Sequence, residues 1–226
     1  MKSKASCMPV IFGLLVPALI VLRLAPSPAE IMEKNRIQEG VSNCRRIISA
    51  LRAYAADHGG DYPDKSLANP RGSNEVFRIL FKEDIVTNER IFGCPLSPFV
   101  PDGNIGDDAN HAEALKAGEN HWAMTAGLDD SATGYAPLVY ENPAIATWPP
   151  AWNLDARGTP TRGRSWRGGV ILGSNDSSVS LHPLALKKGT EVPLRKHFGT
   201  DTEEKDSFEV TMDPATLTES AVLDVD

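Results

Sequence analysis

The side chains able to do chemistry in this 226-residue sequence are scattered rather than clustered. His58, His111, His121, His182 and His197 have no Cys or His partner at the i, i+4 spacing of a metal-binding helix, so they read as surface or loop histidines. Serine, histidine and aspartate are all present. However, no Gly-x-Ser-x-Gly elbow frames a nucleophile, and the chain holds neither a P-loop nor a dinucleotide fingerprint. Hard oxygens for calcium exist at Asp102, Asn104, Asp107 and Asp108, and again at Asp129 and Asp130. Their spacing does not match an EF-hand, and turn-capping roles account for them equally well. No catalytic set, cofactor site or metal site is therefore expected.

Two further groups of residues offer contacts. Trp148, Trp152 and Trp166 lie near Arg157, Arg162, Arg164 and Arg167, a pairing that suits a stacking and cation–π surface for a sugar or peptide. The simpler reading is that the tryptophans cover a sheet beneath a long loop. Of the three cysteines, Cys7 precedes an apolar segment, which leaves Cys44 and Cys94 to meet on the far side of it. An oxidising compartment would allow that pair to bond, so they form a candidate disulfide.

Composition narrows the class. Hydrophobic residues make up 41% of the chain, enough for a real core. A net charge of −7 and a pI near 5.3 are the wrong sign for a nucleic-acid binder. Residues 201–226 carry nine carboxylates against the single Lys205, which reads as a solvated acidic strand or tail.

The elements that must position these residues begin with a basic start, Lys2 and Lys4, and an apolar run of about 14 residues over 9–22. That run is shorter than the ~20 residues that span a bilayer unaided. Two readings stay open: a signal peptide cleaved near Ser27-Pro28-Ala29, or an anchor that continues into a helix. Either exports the remainder, to a membrane-anchored or a periplasmic or extracellular place in the cell envelope. Residues 30–57 then show the strongest period in the chain, with Ile37, Val41, Cys44, Ile48, Leu51 and Ala55 on one helix face. Gly40 weakens that helix by about 1 kcal/mol, and His58-Gly59-Gly60 with Pro63 ends it.

A second helix is expected over 74–86, capped by Ser73. Strands are expected at 121–126 and 137–140, in a hairpin over 169–182, and at 207–212. The fold class is α+β, a long N-terminal amphipathic helix packed on a small antiparallel sheet with irregular loops. The expected domains are 1–29, 30–200 and 201–226.

The stretch from Cys44 to Pro63, the Gly93-Cys94-Pro95 turn, Gly127-Leu128-Asp129 leading to Pro137–Glu141, and the hairpin from Gly168 to Val179 resemble, in that order, type II secretion pseudopilins and related type IV pilin-like proteins. The resemblance covers roughly residues 30–182. It implies a pilin-like fold, a structural or assembly role in a secretion or surface system, and contacts with other pilin-like subunits through helix 30–57. By the same resemblance, calcium has a precedent in a loop near the closing strands. The sequence departs from the pattern after Gly13, where Leu-Leu-Val-Pro17 follows and no acidic residue before Glu30 supplies the glutamate that prepilins carry, and at Trp166 and Ser177, which replace the His and Gly of the closing motif. The expectation is a non-catalytic pilin-like envelope protein; a secreted binding module using the Trp/Arg region and an exported hydrolase are the alternatives.

Overall fold

The computed structural model describes residues 26–194 and 222–226. The apolar run at 9–22, the expected strand at 207–212 and His197 lie outside them. The chain divides into two units, residues 1–36 and 37–226. Among the described residues no helix is long and apolar enough to cross a membrane.

Helix α1 spans Pro28–Asp57 and starts two residues earlier than its apolar period implies. A reciprocal capping box is the reason. The Ser27 hydroxyl accepts the Glu30 N–H at 3.2 Å and the Glu30 carboxylate accepts the Ser27 N–H at 2.9 Å, with Pro28 at the first helical position. The expected stripe from Val41 to Ala55 is buried, widened by Ile47, Ala50 and Tyr54. At the far end the Gly60 N–H closes on the Ala55 carbonyl, with Gly59 in the left-handed region.

Helix α2, Ser73–Lys82, is shorter than expected, and Ser73 is not its cap. The hydroxyl of Ser73 is buried and donates to the Trp122 carbonyl at 2.8 Å, so tertiary contact takes the oxygen that a local cap would have used.

The main sheet is antiparallel with strand order β5-β4-β2-β1-β7. It consists of β1 (Trp122–Thr125), β2 (Pro137–Glu141), β4 (Val170–Ser174), β5 (Val179–His182) and β7 (Val222–Leu223). The central strands are buried on both faces. Cys44, Ile48, Met124, Val139 and Ile171 pack into the helix-side core. Ala123, Tyr140, Trp152, Val170 and Leu172 form a second core on the opposite face. A small second sheet, β3 (Ala151–Trp152) with β6 (Val192–Pro193), contributes to this second core. Burial on both sides explains why β2 reads as a continuous apolar run rather than an alternating one.

Helix and sheet meet through two glycines. A Cβ at Gly173 would lie 2.2 Å from Ile48 Cδ1 and 2.9 Å from Cys44 Sγ. One at Gly40 would lie 2.5 Å from Ile171 Cδ1 and 3.1 Å from Cys94 Sγ. Gly40 is thus a close-approach residue whose intrinsic helix cost is offset by packing.

One expectation needs correction. Residues 222–226 are not a solvated acidic end: β7 pairs with β1, the Asp224 carbonyl accepts the Ser73 N–H at 2.8 Å, and Asp224 is ion-paired with Arg162. Ser177, which stands in place of a glycine in the β4–β5 hairpin, adopts φ +70° there. A non-glycine residue in that region costs about 1–2 kcal/mol. Ser177→Gly is therefore expected to raise stability by about 0.5–1 kcal/mol, the glycine's extra unfolded-state entropy taking back part of the gain. Urea titration would read it as a higher midpoint at constant slope.

Candidate functional site

A carboxylate on the central strand of the sheet organises a dense polar group. Glu141 ends the otherwise apolar strand β2 and is 1% exposed. Its Oε1 accepts from the Trp166 indole N–H at 3.0 Å and meets His121 Nε2 at 3.1 Å and the Arg164 guanidinium at 3.3 Å. Its Oε2 accepts the Ile171 N–H of β4 at 2.8 Å. The Cys94 thiol reaches Oε1 at 3.7 Å.

The remaining partners fix the proton on the imidazole. A carboxylate only accepts, so Nε2 of His121 carries the hydrogen and Nδ1 must accept. It does so from the Ser97 hydroxyl at 2.7 Å and the Asn142 amide at 2.8 Å. The Asn142 amide oxygen then accepts the Gly163 N–H at 2.9 Å, tying in the segment that leads to Arg164. Arg164 donates to the carbonyls of Leu96 and Pro95 at 2.8 and 2.7 Å and stacks over Trp166 at 3.9 Å.

Electrostatics follow from burial and charge. Burial lowers the His121 pKa, outweighing the opposing pull of Glu141, so the ring is neutral. Burial alone would raise Glu141. The His121 hydrogen bond, the Arg164 charge and the Ile171 N–H overcome it, and the carboxyl titrates below its ordinary range. Burial, reinforced by the nearby Glu141 charge, pushes the Cys94 and Cys44 thiols well above their ordinary value. Neither thiol is a ready thiolate at neutral pH.

Cys94, His121 and Glu141 offer donor atoms within 4.8 Å of one another, a spacing a metal ion could use. Arg164 argues against it. The guanidinium lies 3.3 Å from Glu141 Oε1 and 3.7 Å from Cys94 Sγ, and it cannot shed its charge. It supplies the positive charge that a cation would bring. The arrangement is a clasp that joins β1, β2, β4 and the 93–97 turn.

The residues singled out in the sequence fall unevenly around this clasp. Cys94, Arg164 and Trp166 belong to it, but Arg164 and Trp166 are buried rather than a stacking surface, and Trp152 is buried in the second core. His121 is buried and not a surface histidine, whereas His58 is exposed at the end of α1. The candidate disulfide is not formed. Both cysteines are free, the Cys44 thiol facing the Val139 carbonyl at 3.7 Å and Cys94 facing Glu141. Sequence reasoning missed Glu141 itself. Its signal was a lone charge closing the apolar run Pro137–Tyr140.

The calcium candidates do not assemble. Asp102, Asn104 and Asp108 each accept a backbone N–H two residues on, at 2.6, 3.2 and 2.7 Å, and so cap their own turns. Asp129 caps Ser131 and pairs with Lys65 elsewhere in the fold. Glu113 stands twelve positions into a loop opening at Asp102, where an EF-hand has its bidentate glutamate. Gly106 and Asp107 occupy the loop's fifth and sixth places, however, and Glu113 is ion-paired with Lys116. Asp102 instead approaches Glu89 and Glu119. Glu89 is already satisfied by the N–H groups of Gly103 and Leu115 at 2.8 and 2.5 Å.

Comparison with family models, with curated proteins and with solved structures finds no match to this chain.

The buried Cys44 thiol and the half-buried Cys94 thiol lead to one expected result. In the native protein, iodoacetamide should alkylate the peptides bearing Cys44 and Cys94 far more slowly than an exposed thiol. After denaturation without reductant, both peptides should label fully; failure of both to label would mean that they are bonded.

Proposed function

We propose that this chain is a non-catalytic pilin-like envelope protein, exported and held at a membrane through its N-terminal apolar segment, acting as a structural or assembly component of a secretion or surface system. The observation that carries the reading is the form of α1. Over its C-terminal half the helix is buried against an antiparallel sheet, with glycines at the contact. At its start Ile31 and Met32 are 46% and 54% exposed. Large apolar side chains left in water on a helix that follows an apolar segment suit contact with lipid or with a neighbouring helix.

The surface open to partners is narrower than the stripe suggests. Gly40, Val41 and Cys44 are used up in the protein's own core and Ile37 packs against it, which leaves the exposed positions between Ile31 and Glu39 for other subunits. The clasp supports a structural role, because its histidine is neutral, its thiol is not activated and its carboxylate is committed to five donors.

Fractionation in the native host, with N-terminal sequencing and a photo-crosslinking residue at Met32, tests the proposal. Membrane retention, an intact or minimally trimmed N-terminus and crosslinked oligomers are expected. A soluble monomer beginning near Glu30 would overturn it.

A further inference from the structure

A cleft of about 360 Å³ opens where Leu154 and Leu184 of the second core meet Trp166. Its walls are Leu154, Pro183, Leu184 and Leu186, with Trp166 and the Gly168-Gly169 backbone also lining it. The volume is in the range of small-molecule sites, ~300–1,000 Å³. Its frame is hydrogen-bonded from both sides. The Leu154 N–H donates to the Gly189 carbonyl at 2.8 Å, the Ala185 N–H to the Pro193 carbonyl at 2.9 Å, and Trp166 bridges to Gly169. The cleft is therefore preformed.

Its charge runs against that of the protein. The chain carries −7 overall, yet among the described residues the ionisable side chains lining the cleft are both cations, Arg157 and Lys187. Among the described residues neither has a carboxylate within ion-pair distance. Beside Lys187, Leu186 is 61% exposed, an apolar side chain left in water. Apolar walls with two cations and, among the described residues, no anion suit an apolar body ending in a single negative group.

We propose that this cleft binds a small amphiphilic carboxylate of the medium-chain fatty-acid class, its body lying along Leu154, Leu184 and Leu186 and its carboxylate held by Arg157 and Lys187. The site is independent of the pilin-like reading and stands or falls separately from it.

The test uses the full chain and 8-bromooctanoate, whose bromine quenches indole fluorescence at short range, beside the uncharged 8-bromooctanol. Saturable quenching by the acid is expected, with affinity about tenfold or more above that of the alcohol. Arg157→Ala/Lys187→Ala, both exposed positions, should weaken the acid by about tenfold or more while leaving the circular dichroism and thermal midpoint unchanged. Trp166→Phe should remove most of the quenching while calorimetry still records binding. Absence of saturable quenching, equal binding of acid and alcohol, or an unchanged affinity in the double variant would each overturn the proposal.

Discussion

Replacing Glu141 by alanine is expected to destabilise the protein by about 3–5 kcal/mol, the largest effect of any single polar substitution here. The loss is not the sum of the removed hydrogen bonds. It is dominated by what remains: a guanidinium buried with its charge uncompensated, an indole N–H and a backbone N–H without acceptors, and an imidazole that has lost its orienting partner. Removing both charges together should cost less than removing one. Glu141→Leu combined with Arg164→Met is thus expected to lie well above the sum of the two single variants in a urea-based double-mutant cycle.

The same clasp sets an acid limit. The folded-state pKa of Glu141 lies below its ordinary 4.5 and that of His121 below its ordinary 6.5. In both cases the unfolded chain takes up the proton more readily. Stability is therefore complete above about pH 6.5 and declines as pH falls, first through the His121 window and then, below the ordinary carboxyl range, through that of Glu141. His121→Gln should flatten the upper part of the decline and leave the lower part. A profile that is unchanged in that variant would place the acid sensitivity elsewhere.

The second large effect belongs to Gly173. Gly173→Ala places a methyl 2.2 Å from Ile48 Cδ1 and 2.9 Å from Cys44 Sγ, where α1 meets β4. Overpacking of a closed core costs about 1–3 kcal/mol, and valine at this position should exceed alanine. The Ile48 methyl is the end of a side chain, so trimming it makes room. Gly173→Ala with Ile48→Val should recover part of the loss, which an exposed-surface explanation would not produce. Chemical denaturation of the two single variants and the pair measures the coupling.

Much of the framework was legible from spacing alone. The four-and-three rhythm from Ile37 to Ala55 specifies a helix face because side chains repeat every 3.6 residues, and that face is buried from Val41 onward. The turn-forming cluster between Val170-Ile171-Leu172 and Val179-Ser180-Leu181 specifies a hairpin, and β4 pairs with β5 there. Local chemistry is enough for such elements, since the residues that decide them are neighbours in the chain.

The clasp was not legible, for the opposite reason. Its members come from positions 94, 97, 121, 141, 142, 164 and 166, and no local rule links them; only the sheet order brings β1, β2 and β4 side by side. Burial then reverses the reading of each residue. His121 reads as a surface group until the strand carrying it is covered, and Arg164 reads as a ligand-binding cation until Glu141 claims it. The same holds for the two glycines, whose purpose is the distance between a helix and a strand more than 100 residues apart in the chain, and for Val222–Leu223, which pair with β1 beyond a long acidic stretch. The linear chain specified α1, α2 and strands β1, β2, β4 and β5, because these follow from contacts within a few residues, and gave no sign of β3, β6 or β7. The tertiary structure decided which polar groups are buried and with whom, because desolvation and charge pairing depend on neighbours that the linear chain does not reveal.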